Sequence, residues 1–319
     1  MDSTQPVAVV IPSWNSAQLL PRCLDSIAAQ EAEVELFVVD NGSSDGSVAL
    51  LRERGVEHVA LPRNTGFAAA VNLGVSRVRA AAVLVLNADA VLEPGCIGAL
   101  ARRLASDPSL GGVQPRILQL EEGREMDVAT ARVYSAGMAL TRDGRALEEG
   151  AGEAQGPLSA TEREIFGVCG AACLLRRQLF DDLGGYDERY FAFYEDVDLN
   201  VRARIAGWRF GYVPEAVAWH VGNASWQAGF SRPSAENARL VARNRIATQV
   251  KFVPALTLPL ILAVEIGALV RAARERRLWA TLRGKLAALR WLPALLRERR
   301  QLRRDGDVQA ARRWLGLKG

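Results

Sequence analysis

Apolar and polar positions in the first two thirds of the chain follow two alternating periods. Val7-Ala-Val-Val-Ile11 is a short, β-branched run closed by Pro12-Ser13, which predicts a strand ending in a turn. Leu19, Leu20, Cys23, Leu24 and Ile27 then recur at helical spacing, with Ser16 available as a cap. Val34-Glu-Leu-Phe-Val-Val39 predicts a second strand running into Asp40-Asn-Gly-Ser-Ser-Asp-Gly-Ser47, a loop without a hydrophobe. Asp40 stands at that strand's carboxyl end, and Asp45 is placed to cap the next helix. Val56 to Leu61 predicts a third strand, followed by Arg63-Asn-Thr-Gly-Phe67 leading into a helix through Asn72. Val83-Leu-Val-Leu-Asn-Ala-Asp-Ala-Val-Leu92 reads as a buried strand ending in a turn, with Asn87 and Asp89 on the rim where an open parallel sheet binds ligands. A plainer reading makes Asp89 a cap for the helix after Glu93-Pro94.

Four strand–loop–helix steps in succession imply an α/β fold with a mostly parallel sheet flanked by helices and right-handed crossovers. No G-x-G-x-x-G follows the first strand and no G-x-x-x-x-G-K-[ST] occurs, which argues against dinucleotide oxidoreductases and P-loop phosphotransferases. From Leu118 to Thr161 the text is polar and glycine-rich and predicts a hairpin with a mobile loop that covers a site. Val168 to Leu175 reads as a strand with small residues. A helix through Ala206 begins near Glu195, Asp196 and Asp198, behind the aromatic run Tyr190-Phe-Ala-Phe-Tyr194. Acids there suit the helix dipole, and an aromatic wall can stack on a sugar or shield a carboxylate. Val213 to Trp219 predicts a last strand with His220 directly after it.

Composition changes this picture in two places. The 49% hydrophobic content supports a large core, and nothing before Val7 resembles a secretory leader, so a cytoplasmic location is expected. Cys169 and Cys173 form a C-x₃-C without a second pair, so all four cysteines are expected as buried thiols. The net charge of +4 is divided: Arg271 to Gly319 holds 15 Lys/Arg against 4 Asp/Glu, or +11, leaving −7 for residues 1–270. Just before that tail, Phe252 to Val270 is interrupted only by Glu265, with Pro254 and Pro259 near its start. This pattern, with Leu278, Trp279, Leu282, Leu286, Leu289, Trp291 and Leu292 among the later charges, favours helices on an anionic membrane surface over nucleic acid. A helical oligomerisation module is the other reading. The chain therefore divides into residues 1–250 and a basic, amphipathic helical appendage, 251–319.

The segments Val10-Ile-Pro-Ser-Trp-Asn15, Val38-Val-Asp-Asn-Gly-Ser-Ser-Asp-Gly46, Asn64-Thr-Gly-Phe67 with Asn72, Leu86-Asn-Ala-Asp89, Gly184-Gly-Tyr-Asp-Glu188, Glu195-Asp-Val-Asp198 and Trp219-His220 occur in one order, each at a strand end or helix start. Together, over roughly residues 7 to 250, they resemble inverting glycosyltransferases of family two, with the GT-A fold, and among them the bacterial rhamnosyltransferase-like members. The resemblance implies a nucleotide diphosphate sugar donor (UDP-, TDP- or GDP-linked), a glycan or lipid-linked acceptor, Mn²⁺ or Mg²⁺ as cofactor, and a role in cell-surface polysaccharide synthesis on the inner face of the membrane. It gives Asp40 the nucleotide base, with Pro12, Asn15 and Asn41 in the same pocket, and places Arg63, Asn64 and Gly66 near the nucleotide or diphosphate. The family's D-x-D reads Asn87-Ala88-Asp89 here, so Asp89 keeps the metal-binding carboxylate while Asn87 brings no charge; His220 matches the further metal ligand. Asp196 is implied as general base, Glu195 as its orienting neighbour and Asp198 as a helix stabiliser. Arg202 and Arg204 are candidates to serve the diphosphate, with solvated helix arginines as the plainer expectation. The departure at Asn87 leaves a second reading, a nucleotide-sugar-binding scaffold without turnover, and a homo-oligomer is compatible with either.

Overall fold

The computed structural model describes residues 5–121, 126–221, 234–307 and 313–314. The first half alternates strands and helices: β1 (Val7–Ser13), α1 (Leu20–Ala28), β2 (Val34–Asp40), α2 (Ser47–Glu53), β3 (His58–Ala60), α3 (Phe67–Arg77) and β4 (Ala82–Leu86). These four strands pair in parallel, in the order β4-β1-β2-β3. Alternate residues of β1 face opposite sides: Val7, Val9 and Ile11 meet Leu20, Cys23 and Ile27 of α1, whereas Ala8 and Val10 join Val71 and Val75 of α3. Burial on both faces explains the unbroken apolar runs.

The stretch from Val83 is a strand ending in a turn, as expected, and a second short strand follows the turn. β4 stops at Leu86, Asn87-Ala88-Asp89 turns, and β5 (Ala90–Leu92) pairs elsewhere. After α4 (Cys96–Ser106), β6 (Leu110–Gln119) extends into the region expected as loop; β7 (Val133–Ser135), the hairpin β8 (Met138–Leu140) and β9 (Ala146–Glu148), α5 (Pro157–Ala160) and β10 (Arg163–Ile165) follow. The expected hairpin is present, while the glycines there serve turns between real elements. Of the run Val168 to Leu175, only the part from Ala172 is a strand, β11 (Ala172–Arg176); it runs antiparallel to β4 and β6, so the sheet is mixed, with a parallel N-terminal half.

α6 (Arg177–Leu183) and α7 (Glu195–Ile205) lead to β12 (Arg209–His220), which is parallel to β6 and antiparallel to β5 and ends on His220. Four helices close the described chain: α8 (Ala235–Phe252), α9 (Leu258–Arg274), α10 (Leu278–Leu289) and α11 (Leu292–Asp305). Pro254 lies between α8 and α9, and Pro259 lies in the first turn of α9, where its missing N–H breaks no helical bond. The two prolines therefore frame the apolar helix and do not interrupt it. Ala255–Arg274 is long and apolar enough to cross a membrane by length and composition. Its one acid, Glu265, faces the protein and pairs with Arg245 of α8 and Lys285 of α10.

Candidate active site

The parallel register places the functional side chains in a row. Ser13 pairs with Asp40 across β1 and β2, and Val10 pairs with Val85 across β1 and β4, so the loops after β1, β2 and β4 leave the sheet along one edge. Asp40 is buried; its Oδ1 accepts from Ser43 N at 3.0 Å, while Oδ2 has no hydrogen-bond partner. A buried carboxylate oxygen left open at a strand end calls for a donor from outside the chain. Asn15, at φ 51°, accepts from Ser44 N at 2.8 Å and holds the Asp40 loop. Pro12 lies in β1 opposite Val39, and Trp14 is exposed beside it. Asp45 accepts from Ser47 N at 2.9 Å and from Ala17 N at 3.0 Å, joining the start of α2 to the loop after β1.

The loop before α3 is built by Asn41 and Asn64. Asn41 Nδ2 donates to Asn64 Oδ1 and to Gly66 O, both at 3.1 Å, and Thr65 N donates to Asn41 Oδ1 at 2.8 Å. These two asparagines shape the rim; the Arg63 side chain is exposed. Gly66 has φ 96°, and a Cβ there would lie 2.6 Å from Phe191 O, so only glycine lets the aromatic segment approach.

Asn87, Ala88 and Asp89 occupy the turn between β4 and β5. His220 Nε2 lies 3.1 Å from Asp89 Oδ1 and 3.1 Å from Asn87 Nδ2. Asp89 is not a helix cap: α4 begins at Cys96 behind Gly95, and Glu93 instead accepts from Trp219 Nε1 at 2.6 Å. Asp89 and His220 fit a divalent cation. Adjacent corners of an octahedron with bonds of about 2.1 Å are about 3 Å apart, close to the spacing of these two donors. Asn87 Oδ1 is buried and unpartnered, and turning that amide aims a neutral oxygen at the same point. Among the described residues no cluster of three or more His, Cys, Asp and Glu side chains forms a metal cage, so an ion here would need oxygen ligands from substrate or water.

Asp196 reaches the same edge from the start of α7. Its Oδ2 accepts from Gly170 N at 3.1 Å and its Oδ1 from Val197 N at 2.8 Å. Gly170 and Ala171 lead into β11, and Ala171 O accepts from Asn87 N at 2.9 Å, which ties the Asp196 anchor to the Asn87 turn. Burial raises the Asp196 carboxyl above the usual aspartate range. Glu195 is buried with Oε2 unpartnered, and burial and the neighbouring Asp196 hold it well above the ordinary glutamate value. The structure thus brings Asp40, Asn87, Asp89, Asp196 and His220 to one strand-end edge.

Asp198 is fully buried against Lys251 Nζ at 2.7 Å and Arg202 Nε at 2.6 Å, which keep it below the usual carboxylate range despite burial. It anchors α7 to α8, in keeping with a stabilising role. Arg202 and Arg204 are not solvated. Arg202 also donates to Leu183 O and Gly185 O, and Arg204 pairs with Glu164 and stacks on Phe210 and Trp314, because β10 and the C-terminal segment cover this helix. The aromatic run is not a free wall either: Tyr190 is buried, with its ring near Trp291.

Two site residues escaped the sequence reading. Tyr134 sets its ring edge on His220, with centroids 4.6 Å apart at 83°. Burial raises its phenol, and the carboxylates of Glu148, Asp89 and Asp196 add to the rise. Glu148 accepts from Ser135 Oγ at 2.5 Å, and burial, with the charge of Asp196 adding, pushes it up to about 7. Both come from the glycine-rich region, where no periodicity singled them out.

A strand-end row of carboxylates with a histidine, on a half-parallel mixed sheet, defines a nucleotide-sugar transferase fold. The chain belongs to glycosyltransferase family 2: the model of the "Glycosyltransferase like family 2" matches residues 5–237. It is 31% identical over 240 residues to N-acetylglucosaminyl-diphospho-decaprenol L-rhamnosyltransferase of Mycobacterium tuberculosis, covering 68% of this chain and 76% of that one. An N-acetylglucosaminyltransferase of a Rhizobium species is 29% identical over 227 residues, covering 66% and 47%. Among solved structures, a mannosyltransferase from Pyrobaculum calidifontis in complex with GDP-Man and Mn²⁺ superposes with TM-score 0.53 at 19% identity, covering 98% and 87%. GalNAc-T7 with UDP, GalNAc and Mn²⁺ superposes with TM-score 0.57 at 16% identity, covering 77% and 50%. The GT-A fold and glycosyltransferase activity expected from the sequence are supported together.

Proposed function

We propose that this glycosyltransferase moves a deoxyhexose such as rhamnose, with inversion, from a nucleotide diphosphate donor to a sugar joined through a diphosphate to a membrane lipid, in cell-surface polysaccharide synthesis. The mycobacterial relative carries such an activity in its name. The observation that carries the reading is the placement of Asp196 on the same edge as the Asp89–His220 pair and the open carboxylate of Asp40.

In this reading Asp40 accepts a hydrogen bond from the nucleotide base, beside Pro12 and Asn15, and Asn41, Asn64 and Gly66 shape the rim that receives the donor, with Arg63 near its phosphates. Asp89 and His220 hold Mn²⁺ or Mg²⁺, which when bound supplies positive charge against the leaving diphosphate. Asp196 takes the proton of the acceptor hydroxyl as its oxygen bonds to the anomeric carbon, and the bond from that carbon to the diphosphate breaks on the opposite face. Glu195, protonated and buried behind it, keeps a second negative charge away from the base. The apolar outer face of α9 rests on the cytoplasmic membrane surface, beside the lipid-linked acceptor.

Thermal unfolding with UDP, TDP and GDP, each with and without Mn²⁺, tests the donor half. One nucleotide should stabilise the protein by about 2.7 kcal/mol at a hundredfold excess over its Kd, and Asp89→Ala should remove the Mn²⁺-dependent part. Asp196→Asn should abolish transfer while nucleotide affinity stays within about twofold. Normal turnover in that variant rules out the assigned base, and no stabilisation by any of the three nucleotides rules out the donor class.

A further inference from the structure

His220 must turn its ring toward Asp89 to act as a ligand, and its backbone does not settle that orientation. The main chain is fixed: His220 pairs with Ala90 across β12 and β5, and its carbonyl accepts from Leu120 N at 2.9 Å. The ring still rotates about two side-chain bonds. Its Nε2 meets Asp89 Oδ1 and Asn87 Nδ2, each at 3.1 Å, but this is the nitrogen a cation would use, so neither contact can orient the ring once it serves as a ligand. A ligating histidine is ordinarily held by a hydrogen bond from its other ring nitrogen. Here that nitrogen, Nδ1, is buried and has no hydrogen-bond partner among the described residues. What borders the ring is Tyr134, nearly perpendicular, with centroids 4.6 Å apart at 83°. Aromatic pairs in this arrangement attract each other beyond the effect of the area they bury.

The strand that carries Tyr134 is built to aim it. β6 lies between β7 and β12, so Tyr134 and His220 stand on backbones two strand spacings apart, roughly 10 Å. A side chain rising straight from β7 would miss the histidine. Ile117 pairs with Ser135 and Leu118 with Val133, which leaves Tyr134 as the extra residue of a bulge. A bulge bends its strand and re-aims the unpaired side chain. Both neighbours are pinned. Val133 N donates to Glu153 O at 3.0 Å and Val133 O accepts from Gly152 N at 2.9 Å. Ser135, fully buried, donates through Oγ to Glu148 and accepts from Gln114 Nε2 at 2.9 Å. The tyrosine therefore comes from a rigid element, and its contact with His220 is ring on ring, for which the hydroxyl is not needed.

We propose that Tyr134 is the positioning residue of the metal site: its ring, aimed by the β7 bulge, holds the His220 imidazole with Nε2 toward Asp89 and takes the place of the missing hydrogen bond at Nδ1. This rests on the transferase reading above, in which Asp89 and His220 carry the cation, and adds the side chain that keeps the pair aligned.

Titration of the full-length protein with Mn²⁺ alone, followed by electron paramagnetic resonance, tests it. The free-ion signal gives the affinity, and spin-echo modulation shows whether an imidazole nitrogen is coordinated. Wild type should show that modulation and His220→Ala should lack it. Tyr134→Leu, which keeps an apolar side chain and loses the flat ring, should weaken Mn²⁺ binding at least about tenfold and lose the modulation. Tyr134→Phe should keep the modulation and bind within about threefold of wild type. Unchanged affinity and modulation in Tyr134→Leu overturn the proposal. So does a loss in Tyr134→Phe as large as that in Tyr134→Leu, which would assign the role to the hydroxyl. If Tyr134→Leu does not retain the thermal unfolding midpoint, Tyr134→Met is read by the same criteria. Absence of nitrogen modulation in wild type, or its persistence in His220→Ala, takes His220 off the metal and overturns the metal pair of the transferase reading together with the proposal; the Tyr134 variants by themselves overturn only the proposal.

Discussion

Asp40, Asp196 and Glu148 show how one functional group, the carboxyl, acquires three chemistries from its surroundings. Asp40 keeps a carboxylate oxygen open, Asp196 spends one lone pair of each oxygen on a backbone amide, and Glu148 is lifted to about 7 by burial with the charge of Asp196 adding. For Glu148 the sign of the stability effect follows directly. Its folded-state value lies above the ordinary 4.5, so between about pH 4.5 and 7 the folded protein holds a proton that the unfolded chain has released. Stability from this group is present below that window, declines as pH rises through it and is level above. Glu148→Gln should therefore be more favourable, relative to wild type, at pH 8 than at pH 5. Urea unfolding midpoints at the two pH values check this, and an equal difference at both would show that Glu148 titrates normally. Asp40, Asp89, Asp196 and His220 were legible in the sequence because each ends or begins an element with a clear period. Glu148 and Tyr134 were not, since the partners that give them meaning, Asp196 and His220, are remote along the chain. Arg202 and Arg204 were misread because a charged residue on a helix is normally solvated, and only the packing of β10 and the C-terminal segment buries them.

At the scale of elements, the aromatic segment before α7 is held in an unfavourable backbone state. Phe191, Phe193 and Tyr194 all have positive φ, between 66° and 69°, each a conformation costing on the order of 1–3 kcal/mol for a residue with a side chain. Side chains from α8 hold the segment down: Asn244, fully buried, donates to Tyr190 O, Ala192 O and Phe193 O at 2.7–2.9 Å, and Arg243 adds a bond to Tyr190 O at 2.8 Å. The start of α7, with Glu195 and Asp196, follows immediately. Asn244→Ala removes this donor from all three carbonyls, although Tyr190 O still accepts from Arg243 and Ala192 N, and should lower stability by about 2–4 kcal/mol, with loss of turnover exceeding loss of nucleotide affinity because Asp196 is displaced. A denaturant midpoint within error of wild type would show that the clamp is dispensable. Nothing in the sequence of α8 marks Asn244, because a buried asparagine and a solvated one are spelled alike.

Over the whole molecule, the C-terminal helices are joined to the catalytic part by charge. Lys251 lies 2.7 Å from Asp198 on α7 and 3.0 Å from Glu298 on α11. Removal of everything after Lys251 would strip Glu298 from this group, so point substitutions on α9 are the cleaner test of membrane contact. Leu258, Leu262, Ile266 and Val270 are each about half exposed or more, as is Trp279 on α10. Glu265 is tied to cations of α8 and α10, so burying α9 across a bilayer would draw those charged groups toward the hydrocarbon; a helix lying along the surface keeps them in water. The full-length protein should sediment with vesicles containing anionic phospholipid, and Leu262→Asp/Ile266→Asp should reduce the bound fraction at least about fivefold with the thermal midpoint retained. Unchanged sedimentation would exclude this face as the contact, and a shift from oligomer to monomer in the variant would assign it to subunit association.

The order of apolar runs and strand-end polar residues determined the α/β class, the edge on which chemistry gathers and the family, because parallel strands buried on both faces leave only their ends for polar work. Tertiary structure alone decided that β5 returns to pair with β12, that Arg202 and Arg204 are interior, that Asn244 clamps the aromatic segment and that Glu148 is tied to Asp196 through Ser135, Gln114 and the Cys169–Gly170 backbone. Each of these depends on contacts between residues far apart in the chain, and a contact of that kind leaves no period in the sequence to read.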